Sequence, residues 1–184
     1  MNKCRWRDKN ELLTKYHDQE WGVPVLDSRE LFASFALEIF QAGLNWETIL
    51  QRRPAFMTQF NEFEPECVAQ IKAKDVDQIL QNTQIIRNRR KISAVCANAK
   101  IVVALDMSFS DYIWHFFDFE PLQATVASDA ASSRRELLNR VTQQMKGAGF
   151  TFIGPKLLNS FFQAAGLIND HDVSCFRYRQ VAVL

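Results

Sequence analysis

Residues 147–156 read Gly-Ala-Gly-Phe-Thr-Phe-Ile-Gly-Pro-Lys, and they separate two stretches whose apolar residues recur every three or four positions. That spacing is typical of helices, whereas glycine and proline favour turns, so the segment predicts a turn between two helices. Helical spacing continues through most of the chain, which has only six glycines and five prolines. No convincing strand pattern is found, and we therefore expect an all-α fold.

Capping and turn residues predict individual boundaries. Asp27 has a glutamate three positions further on, which is capping-box spacing, and it predicts the start of a helix that stops near Gly43. Ser133 has the same spacing and predicts a helix start after a loop over residues 121–132. Pro54 is expected to end one helix or to begin the next.

The composition is that of an ordinary globular protein. With 184 residues, 47% of them hydrophobic, the chain can bury a core, and we expect residues 1–184 to form a single domain with two helical lobes. No run of 18 apolar residues predicts a membrane span, and the N-terminus has no apolar signal core. We therefore expect a cytoplasmic protein whose four cysteines are thiols, metal ligands or core residues rather than disulfides.

Cysteines and histidines occur near both ends of the chain. Cys4 and His17 lie near the N-terminus, while His171 and Cys175 lie four positions apart near the C-terminus. Two thiolates and two imidazoles suit a closed, tetrahedral structural zinc site. A histidine and a cysteine four positions apart are usually a coincidence, and the alternative is a buried Cys4, a surface His17 and an unrelated pair near the C-terminus. The remaining two cysteines lie in apolar helical contexts and are expected in the core: Cys67 and Cys96.

The turn and the aromatic residues suggest contact with DNA. A glycine such as Gly154 lets a backbone approach a phosphate, and the helix that starts before Lys156 offers free N–H groups, as in a helix-hairpin-helix motif. A plain turn would have the same residues, and the net charge of only +1 does not announce a nucleic-acid partner. Basic residues are nevertheless concentrated locally, although a solvated helix face would give the same run: Arg87, Arg89, Arg90, Lys91, Arg134, Arg135, Arg140, Lys146 and Lys156.

The first third of the chain is rich in aromatic residues with polar tips, close in sequence to the acidic residue Glu38. Enzymes that act on a nucleobase flip it out of the duplex and stack it on aromatic rings, and a cationic base also favours a carboxylate. Packing in the core is the alternative role for each ring. The candidate residues are Trp6, Tyr16, Trp21 and Trp46.

Taken together, these motifs resemble the bacterial 3-methyladenine DNA glycosylase I family of helix-hairpin-helix glycosylases. The resemblance runs from residue 4 to about residue 178. It is carried by Cys4-Arg-Trp6, Tyr16-His17-Asp18-Gln-Glu20-Trp21-Gly22-Val-Pro24, Leu37-Glu38, Gln41-Ala-Gly43-Leu44-Asn-Trp46, Ile85-Ile-Arg87-Asn-Arg89, Lys91-Ile92, Asn98-Ala99, Gly149-Phe-Thr-Phe-Ile-Gly154-Pro155, Gln163-Ala164 and Gly166-Leu-Ile-Asn169-Asp170-His171 with Cys175.

The resemblance implies a DNA repair enzyme with a base pocket between its two lobes. Glu38 would hydrogen-bond the modified adenine and favour its positive charge, and Trp46 would stack on it. Tyr16 would hydrogen-bond the base edge, Trp21 would line the pocket, and Trp6 would pack beside the pocket or the zinc lobe. The resemblance also implies contacts with double-stranded DNA for Gly43, Leu44, Gly154 and Lys156. Of these, Gly43 and Leu44 would fill the gap that the flipped base leaves in the duplex. A structural zinc would join the two ends of the chain through Cys4, His17, His171 and Cys175.

The resemblance also implies hydrolysis of the N-glycosidic bond of 3-methyladenine by a monofunctional enzyme that leaves an abasic site. The base is already cationic and leaves readily, so selective binding could suffice, with Glu38 as the catalytic candidate. The family lacks the aspartate that most helix-hairpin-helix glycosylases use, and Asn169 stands in its place. Asp170 is a weaker alternative catalytic group. No obligate protein partner is implied.

Some residues depart from the family pattern and put the substrate range in doubt: Ile39, Phe40, Asn45 and Asn159, with Thr83 and Gln84. Three alternatives follow. The first is a non-catalytic protein of the same fold that binds alkylated DNA. The second is a helical zinc protein without a DNA role. The third is an enzyme that releases another alkylated purine, such as 3-methylguanine.

Overall fold

A computed structural model describes residues 4, 6, 10–123 and 128–182. These residues form ten α-helices: α1 (Glu11–Gln19), α2 (Ser28–Gln41), α3 (Trp46–Gln59), α4 (Pro65–Ala69), α5 (Ala73–Ile79), α6 (Arg89–Val103), α7 (Phe109–Trp114), α8 (Ser128–Gly147), α9 (Pro155–Ala164) and α10 (Phe176–Val181). The prediction of a mainly helical fold is confirmed. Within the described ranges, no helix is both long and apolar enough to cross a bilayer.

Two very short strands correct the prediction that the chain has none. Strand β1 (Leu122–Gln123) pairs in parallel with β2 (Ile168–Asn169), and Leu122 lies opposite Ile168. A two-residue strand has no detectable alternation of polar and apolar residues, so the sequence could not predict it. The pairing ties the segment before α8 to the segment after α9, close to His171.

Helix α2 lies at the centre of the core and packs against α3, α6, α7 and α9. Its middle is buried on nearly every side, which is typical of a helix enclosed by others. The Phe35 ring alone contacts three other phenylalanines, from α7, the turn after α8 and α9: Phe109, Phe150 and Phe161. Full burial of such side chains contributes about 1.5–3 kcal/mol each before entropy is counted. Glu38 lies within this buried stretch.

The start of α2 is as predicted, but Pro54 is not at a boundary. The Asp27 carboxylate accepts a hydrogen bond from the Glu30 N–H at 2.9 Å, and the helix ends at Gln41. Pro54 lies inside α3, which continues through it to Gln59. A proline there costs roughly 3 kcal/mol. The helix still forms because side chains on both sides of the proline, such as Leu50 and Phe56, are buried in the core.

The prediction for the start of α8 is wrong. The helix begins at Ser128, so Ser133 lies in its interior rather than at its N-cap. Of the loop predicted over residues 121–132, residues 122–123 form β1, residues 124–127 lie outside the described residues, and residues 128–132 are helical. Alanine has the highest helix propensity, and the pair at positions 130 and 131 favours this earlier start.

Candidate active site and metal centre

A cavity of about 260 Å³ opens where α1, α2, α3 and α9 meet. This volume lies below the roughly 300–1,000 Å³ of pockets for drug-sized ligands, so the cavity suits a small molecule. The structure brings together here all five residues that the sequence analysis assigned to a base pocket. Among the residues that the structure describes, the lining is Trp6, Tyr16, Trp21, Glu38, Gln41, Trp46, Ser160 and Gln163.

A larger cavity, of about 800 Å³, lies beside β1 and α8 and is lined by residues such as Phe116, Arg134 and Arg140. Its lining includes Gln123, where the described part of the chain is interrupted. The smaller cavity is the better candidate active site. It combines aromatic rings with a buried carboxyl group, and such a combination is typical of ligand recognition.

The aromatic side chains of the smaller cavity meet one another at an angle. The rings of Tyr16 and Trp46 lie 5.3 Å apart and are tilted by 45°. Those of Trp6 and Trp21 lie 5.0 Å apart, nearly perpendicular at 83°. None of these rings is stacked face to face on another ring of the cavity lining. Their arrangement suits a flat ligand that inserts between them.

Glu38 is the buried acid of this cavity, with only 5% of its surface exposed. Burial raises the pKa of its carboxyl group from 4.5 to about 8. Its carboxyl forms no hydrogen bond or ion pair with any residue that the structure describes. A buried carboxylate without a neighbouring cation is costly, so a cationic ligand would be strongly favoured beside it.

Two hydrogen-bond donors accompany this acid. Burial, and then the charge of Glu38, raises the pKa of the Tyr16 phenol well above 10, so the group stays a neutral donor. The second donor is the indole N–H of Trp46, which by itself lowers the pKa of the Tyr16 phenol. This N–H is buried and makes no hydrogen bond of good geometry within the described residues. A buried donor without a partner costs about 1–3 kcal/mol, and a ligand with an acceptor would relieve that cost.

The four predicted metal ligands lie together and are buried. Their ligand atoms all fall within 4.8 Å of one another. Cys4 Sγ lies 3.6 Å from His171 Nδ1, and Cys175 Sγ lies 3.6 Å from His17 Nε2 and 3.8 Å from His171 Nδ1. In a tetrahedral zinc site, bonds of about 2.3 Å to sulfur and 2.0–2.1 Å to nitrogen give a sulfur–nitrogen separation of about 3.6 Å. The side chains therefore fit a tetrahedral metal ion.

Neighbouring groups orient both imidazoles for metal binding. The Nε2–H of His171 donates to the Trp21 carbonyl at 3.0 Å, which leaves Nδ1 facing the two thiols. His17 Nδ1 lies 2.8 Å from the Asp18 carboxylate, which leaves Nε2 facing Cys175. Metal-binding histidines usually hold their second nitrogen in this way.

The electrostatics of the cluster also favour a cation. Burial, together with the neighbouring Cys175, raises the pKa of the Cys4 thiol to about 12. Burial lowers the pKa of His171 to about 4, so its ring is neutral at pH 7, as a ligand must be. Two adjacent buried thiols become thiolates only if a positive charge compensates them. The cluster could therefore hold a divalent metal that accepts sulfur and nitrogen ligands.

The metal cluster and the candidate active site share a wall. The Trp21 ring lies 4.6 Å from the His171 ring, and the Trp6 ring lies 5.2 Å from the His17 ring. Tyr16 of the cavity directly precedes His17 on α1. The imidazoles of the cysteine and histidine cluster therefore pack directly against the aromatic rings on one side of the cavity.

The segment before α9 has the features of a phosphate-binding turn. Gly154 is the N-cap of α9 and has open space around its Cα, and no side chain within the described residues caps the helix. Lys156 is exposed. The side chain of Asn98 holds the backbone of Thr151 on both sides, donating to its carbonyl at 3.1 Å and accepting from its N–H at 2.8 Å.

The other two predicted DNA contacts lie in a different turn, between α2 and α3. Gly43 has φ +82°, which favours glycine, and Leu44 is 39% exposed. The buried Lys91 ammonium donates to the carbonyls of Phe40 and Ala42, at 2.8 and 2.6 Å. This contact fixes the end of α2 and thereby the start of the turn. The two turns adjoin α2 and α9, and these two helices pack on each other.

Asn169, which the resemblance places at the position of an aspartate in most helix-hairpin-helix glycosylases, is buried and held by three hydrogen bonds. It is 1% exposed, and its amide donates to the Gln123 side chain at 2.8 Å and to the Tyr178 carbonyl at 3.0 Å. Its side-chain oxygen accepts from the His171 N–H at 3.3 Å. The side chain therefore links β1, the metal-binding segment and α10.

The sequence analysis missed some residues of the site. Gln41, Ser160 and Gln163 line the cavity without having been assigned a role. Gln41 follows Glu38 by three positions on α2, and helical spacing could have revealed it. The two residues on α9 could be found only once α9 was known to pack on α2. Of the two cysteines expected in the core, Cys96 is buried but Cys67 is exposed, because α4 is short and presents it to solvent.

Comparison with known proteins agrees with this geometry. The methyladenine glycosylase family matches residues 6–178. DNA-3-methyladenine glycosylase 1 of Escherichia coli strain K12 is 38% identical over 183 residues, which span 97% of each chain. A crystal structure of a 3-methyladenine DNA glycosylase I is 40% identical, with a TM-score of 0.88 over 95% of this chain and 98% of that one. Another, a variant solved in complex with 3-methyladenine, is 34% identical, with a TM-score of 0.86 over 96% and 97%.

Proposed function

This chain belongs to the methyladenine glycosylase family, and on that basis we propose that it removes 3-methyladenine from alkylated DNA. It is a monofunctional DNA glycosylase, a repair hydrolase that cleaves the N-glycosidic bond, releases the free base and leaves an abasic site. The observation that carries this function is the buried, unpaired Glu38 carboxyl in a cavity lined by four aromatic side chains.

Glu38 and the aromatic residues would recognise the flipped base. 3-Methyladenine carries a positive charge while it is attached to the sugar, and neutral adenine does not. The cationic base would stack on Trp46, and its charge would be compensated by Glu38 as the carboxylate. Tyr16 would donate a hydrogen bond to the base edge, and Trp6 and Trp21 would close the aromatic wall.

Selective binding can account for the chemistry. A cationic base is a good leaving group, so the enzyme does not need to protonate it. As the bond to the sugar lengthens, positive charge moves from the base to the sugar, and a carboxylate at Glu38 would speed cleavage to the extent that it stabilises the charge on the sugar more than the charge on the bound base. Water then attacks the sugar.

We propose zinc as the metal held by Cys4, His17, His171 and Cys175. When bound, it would neutralise the two thiolates and cross-link the N-terminal segment to the C-terminal one. Its role would be structural because four protein ligands leave no position for water or substrate. The bound metal would also hold the imidazoles against which Trp6 and Trp21 pack, and so keep these two rings in position for the base.

Double-stranded DNA that contains an alkylated purine is the proposed partner. The N–H groups at the start of α9, Gly154 and the Lys156 ammonium would bind phosphates without reading sequence, as in a helix-hairpin-helix motif. Leu44, next to Gly43, would fill the gap that the flipped base leaves. We further propose a cytoplasmic location and a single domain, residues 1–184, with the pocket between two helical lobes.

Release of bases from methylated DNA tests this function. We expect the wild-type protein to release 3-methyladenine, identified by chromatography. The Glu38→Gln variant should be slower by roughly 10- to 100-fold, because a hydrogen bond to a charged group contributes about 1.5–3 kcal/mol. Glu30→Gln, an exposed change on the same helix, is the matched control and should leave release unchanged.

The possible outcomes separate the alternatives. Unchanged release by Glu38→Gln would keep the enzyme but reject the role of Glu38. Absence of release by folded, metal-loaded wild-type protein that still binds methylated DNA would favour the non-catalytic DNA-binding alternative. Release of 3-methylguanine instead of 3-methyladenine would change the substrate.

A further inference from the structure

A hydrogen-bonded network connects the candidate active site to α8. The Gln163 side-chain amide, which lines the cavity, donates through Nε2 to Oδ2 of Asp170. Oδ1 of the same carboxylate accepts from Nη1 of Arg134 on α8 at 2.7 Å. Arg134 in turn donates through Nε to the Asn159 side chain at 2.9 Å. Asn159 and Gln163 lie four positions apart on α9, so both face this network.

The network fixes which end of the Gln163 amide faces Asp170. A glutamine amide has a donor end and an acceptor end, and a free side chain can present either one to a ligand. An ionised carboxylate only accepts hydrogen bonds, so the amide nitrogen must face Asp170. The side-chain carbonyl oxygen then lies on the opposite side of the amide. It accepts no hydrogen bond from the residues that the structure describes.

We propose that Asp170, held by Arg134, is a positioning residue that turns the Gln163 carbonyl oxygen toward the bound base as a hydrogen-bond acceptor. This inference rests on the proposed function. An acceptor at this point favours a purine with an amino group, as in adenine, over one with a keto oxygen, as in guanine, because two acceptors repel. The network therefore contributes to the choice of 3-methyladenine over 3-methylguanine.

The same geometry gives Asp170 a role other than the catalytic one considered for it. Both carboxylate oxygens are occupied, one by an arginine and one by the Gln163 amide. Asp170 lines the larger cavity and not the candidate active site. The network also explains Asn159, a departure from the family pattern. Its side chain accepts a hydrogen bond from Arg134 and so supports it.

A double-mutant cycle on the metal-loaded protein tests the proposal. The dissociation constant of free 3-methyladenine is measured by tryptophan fluorescence for wild type, Asp170→Ala, Gln163→Ala and the double variant. We expect Asp170→Ala to weaken binding roughly five- to tenfold in the wild-type background, the size of one hydrogen bond. In the Gln163→Ala background, the same change should alter binding less than about twofold, because Asp170 acts through Gln163.

The preference between bases provides a second readout that a general loss of stability would not change. The ratio of the affinities for 3-methyladenine and 3-methylguanine should fall in Asp170→Ala, since the freed amide can turn its nitrogen toward a keto oxygen. Asp77→Ala breaks another carboxylate–arginine pair, with Arg89, outside the cavity, and it should change neither affinity nor ratio.

Equal weakening by Asp170→Ala in both backgrounds, or no weakening in either, would overturn the proposal. Because Asp170 precedes His171, the metal content and melting temperature of each variant are measured as well. If Asp170→Ala loses the metal, Arg134→Met replaces it in the same double-mutant cycle with Gln163→Ala. We then expect a smaller loss of affinity for 3-methyladenine, and only when Gln163 is present. Failure of the proposed function would look different, since wild-type protein would then not bind 3-methyladenine.

Discussion

At the scale of single residues, Glu38 is unusual because glutamate side chains are rarely buried without a partner. Its neighbours on α2 are core residues such as Leu37 and Ile39, and the carboxyl itself is buried. An apolar residue at this position would pack without any cost of desolvation. The chain thus accepts a loss of stability at the position where its proposed substrate carries a charge.

This cost can be measured through its pH dependence. The pKa of Glu38 is raised in the folded protein to about 8, from 4.5. Between these pH values the unfolded chain loses the proton while the folded one keeps it, so wild-type stability should fall relative to Glu38→Gln as the pH rises. The difference should reach roughly 3–5 kcal/mol and stay constant above about pH 8. Urea unfolding of both proteins from pH 5 to 9 provides the measurement.

The pH-dependent metal site is shared by both proteins, so its effect cancels in this difference. Glu30→Gln, exposed on the same helix, controls for the substitution itself. A difference between wild type and Glu38→Gln that does not change with pH would mean that Glu38 is not held protonated in the folded state.

Other residues show how far a single sequence can be interpreted. The chemistry of the site was predictable because acids, aromatic rings, cysteines and histidines have restricted uses. The effect of departures from the family pattern was not. Ile39 and Phe40 are fully buried in the core and do not line the cavity, and Asn45 caps α3 by accepting from the Thr48 N–H at 2.8 Å. These three changes therefore leave the pocket lining intact.

At the scale of helices and turns, local rules succeeded where the local signal was strong. Asp27 caps α2 as predicted. The rules failed at Pro54 and Ser133, where burial on both sides of the proline and an alanine-rich segment extended a helix past its apparent boundary. Such extensions depend on tertiary packing, which a capping motif does not contain.

The turn before α9 gives a prediction for Asn98→Ala. Asn98 is fully buried, and its amide satisfies both backbone groups of Thr151, while the next residue, Phe152, has φ +58°. Alanine would remove the side-chain partner of the Thr151 N–H and carbonyl and would leave a small cavity at the fully buried position 98. We expect the free energy of unfolding to fall by roughly 2–4 kcal/mol. Affinity for DNA should fall as well, because the turn loses its anchor.

Urea unfolding and binding to a labelled duplex measure the two effects. Asn139→Ala, an exposed change on α8, is the matched control and should alter stability by less than about 0.5 kcal/mol. If Asn98→Ala proved as stable as wild type, the hydrogen bonds to Thr151 would not hold the turn.

At the scale of the whole molecule, the sequence predicted the four candidate metal ligands but could not show that they meet. Cys4 and His171 are separated by 167 positions, and only the path of the chain through ten helices brings them within 3.6 Å. The short pairing of β1 with β2, which no periodicity announced, positions the segment that carries His171. The contact between the two described ends of the chain therefore depends on the complete fold and not on any local motif.

Removal of the metal tests whether this closure stabilises the entire molecule. Without a cation, nothing compensates the burial that raises the pKa of the Cys4 thiol, and the two ends lose their cross-link, so we expect the melting temperature to fall by roughly 10 °C or more after chelation. Binding of free 3-methyladenine should weaken as well, because Trp6 and Trp21 pack on the ligand imidazoles. Cys175→Ser should reproduce both effects, while Cys67→Ser, exposed and outside the cluster, should keep the metal and the melting temperature. A protein proven free of metal that melts like the untreated one would exclude a structural role, because the helices alone would then hold the ends together.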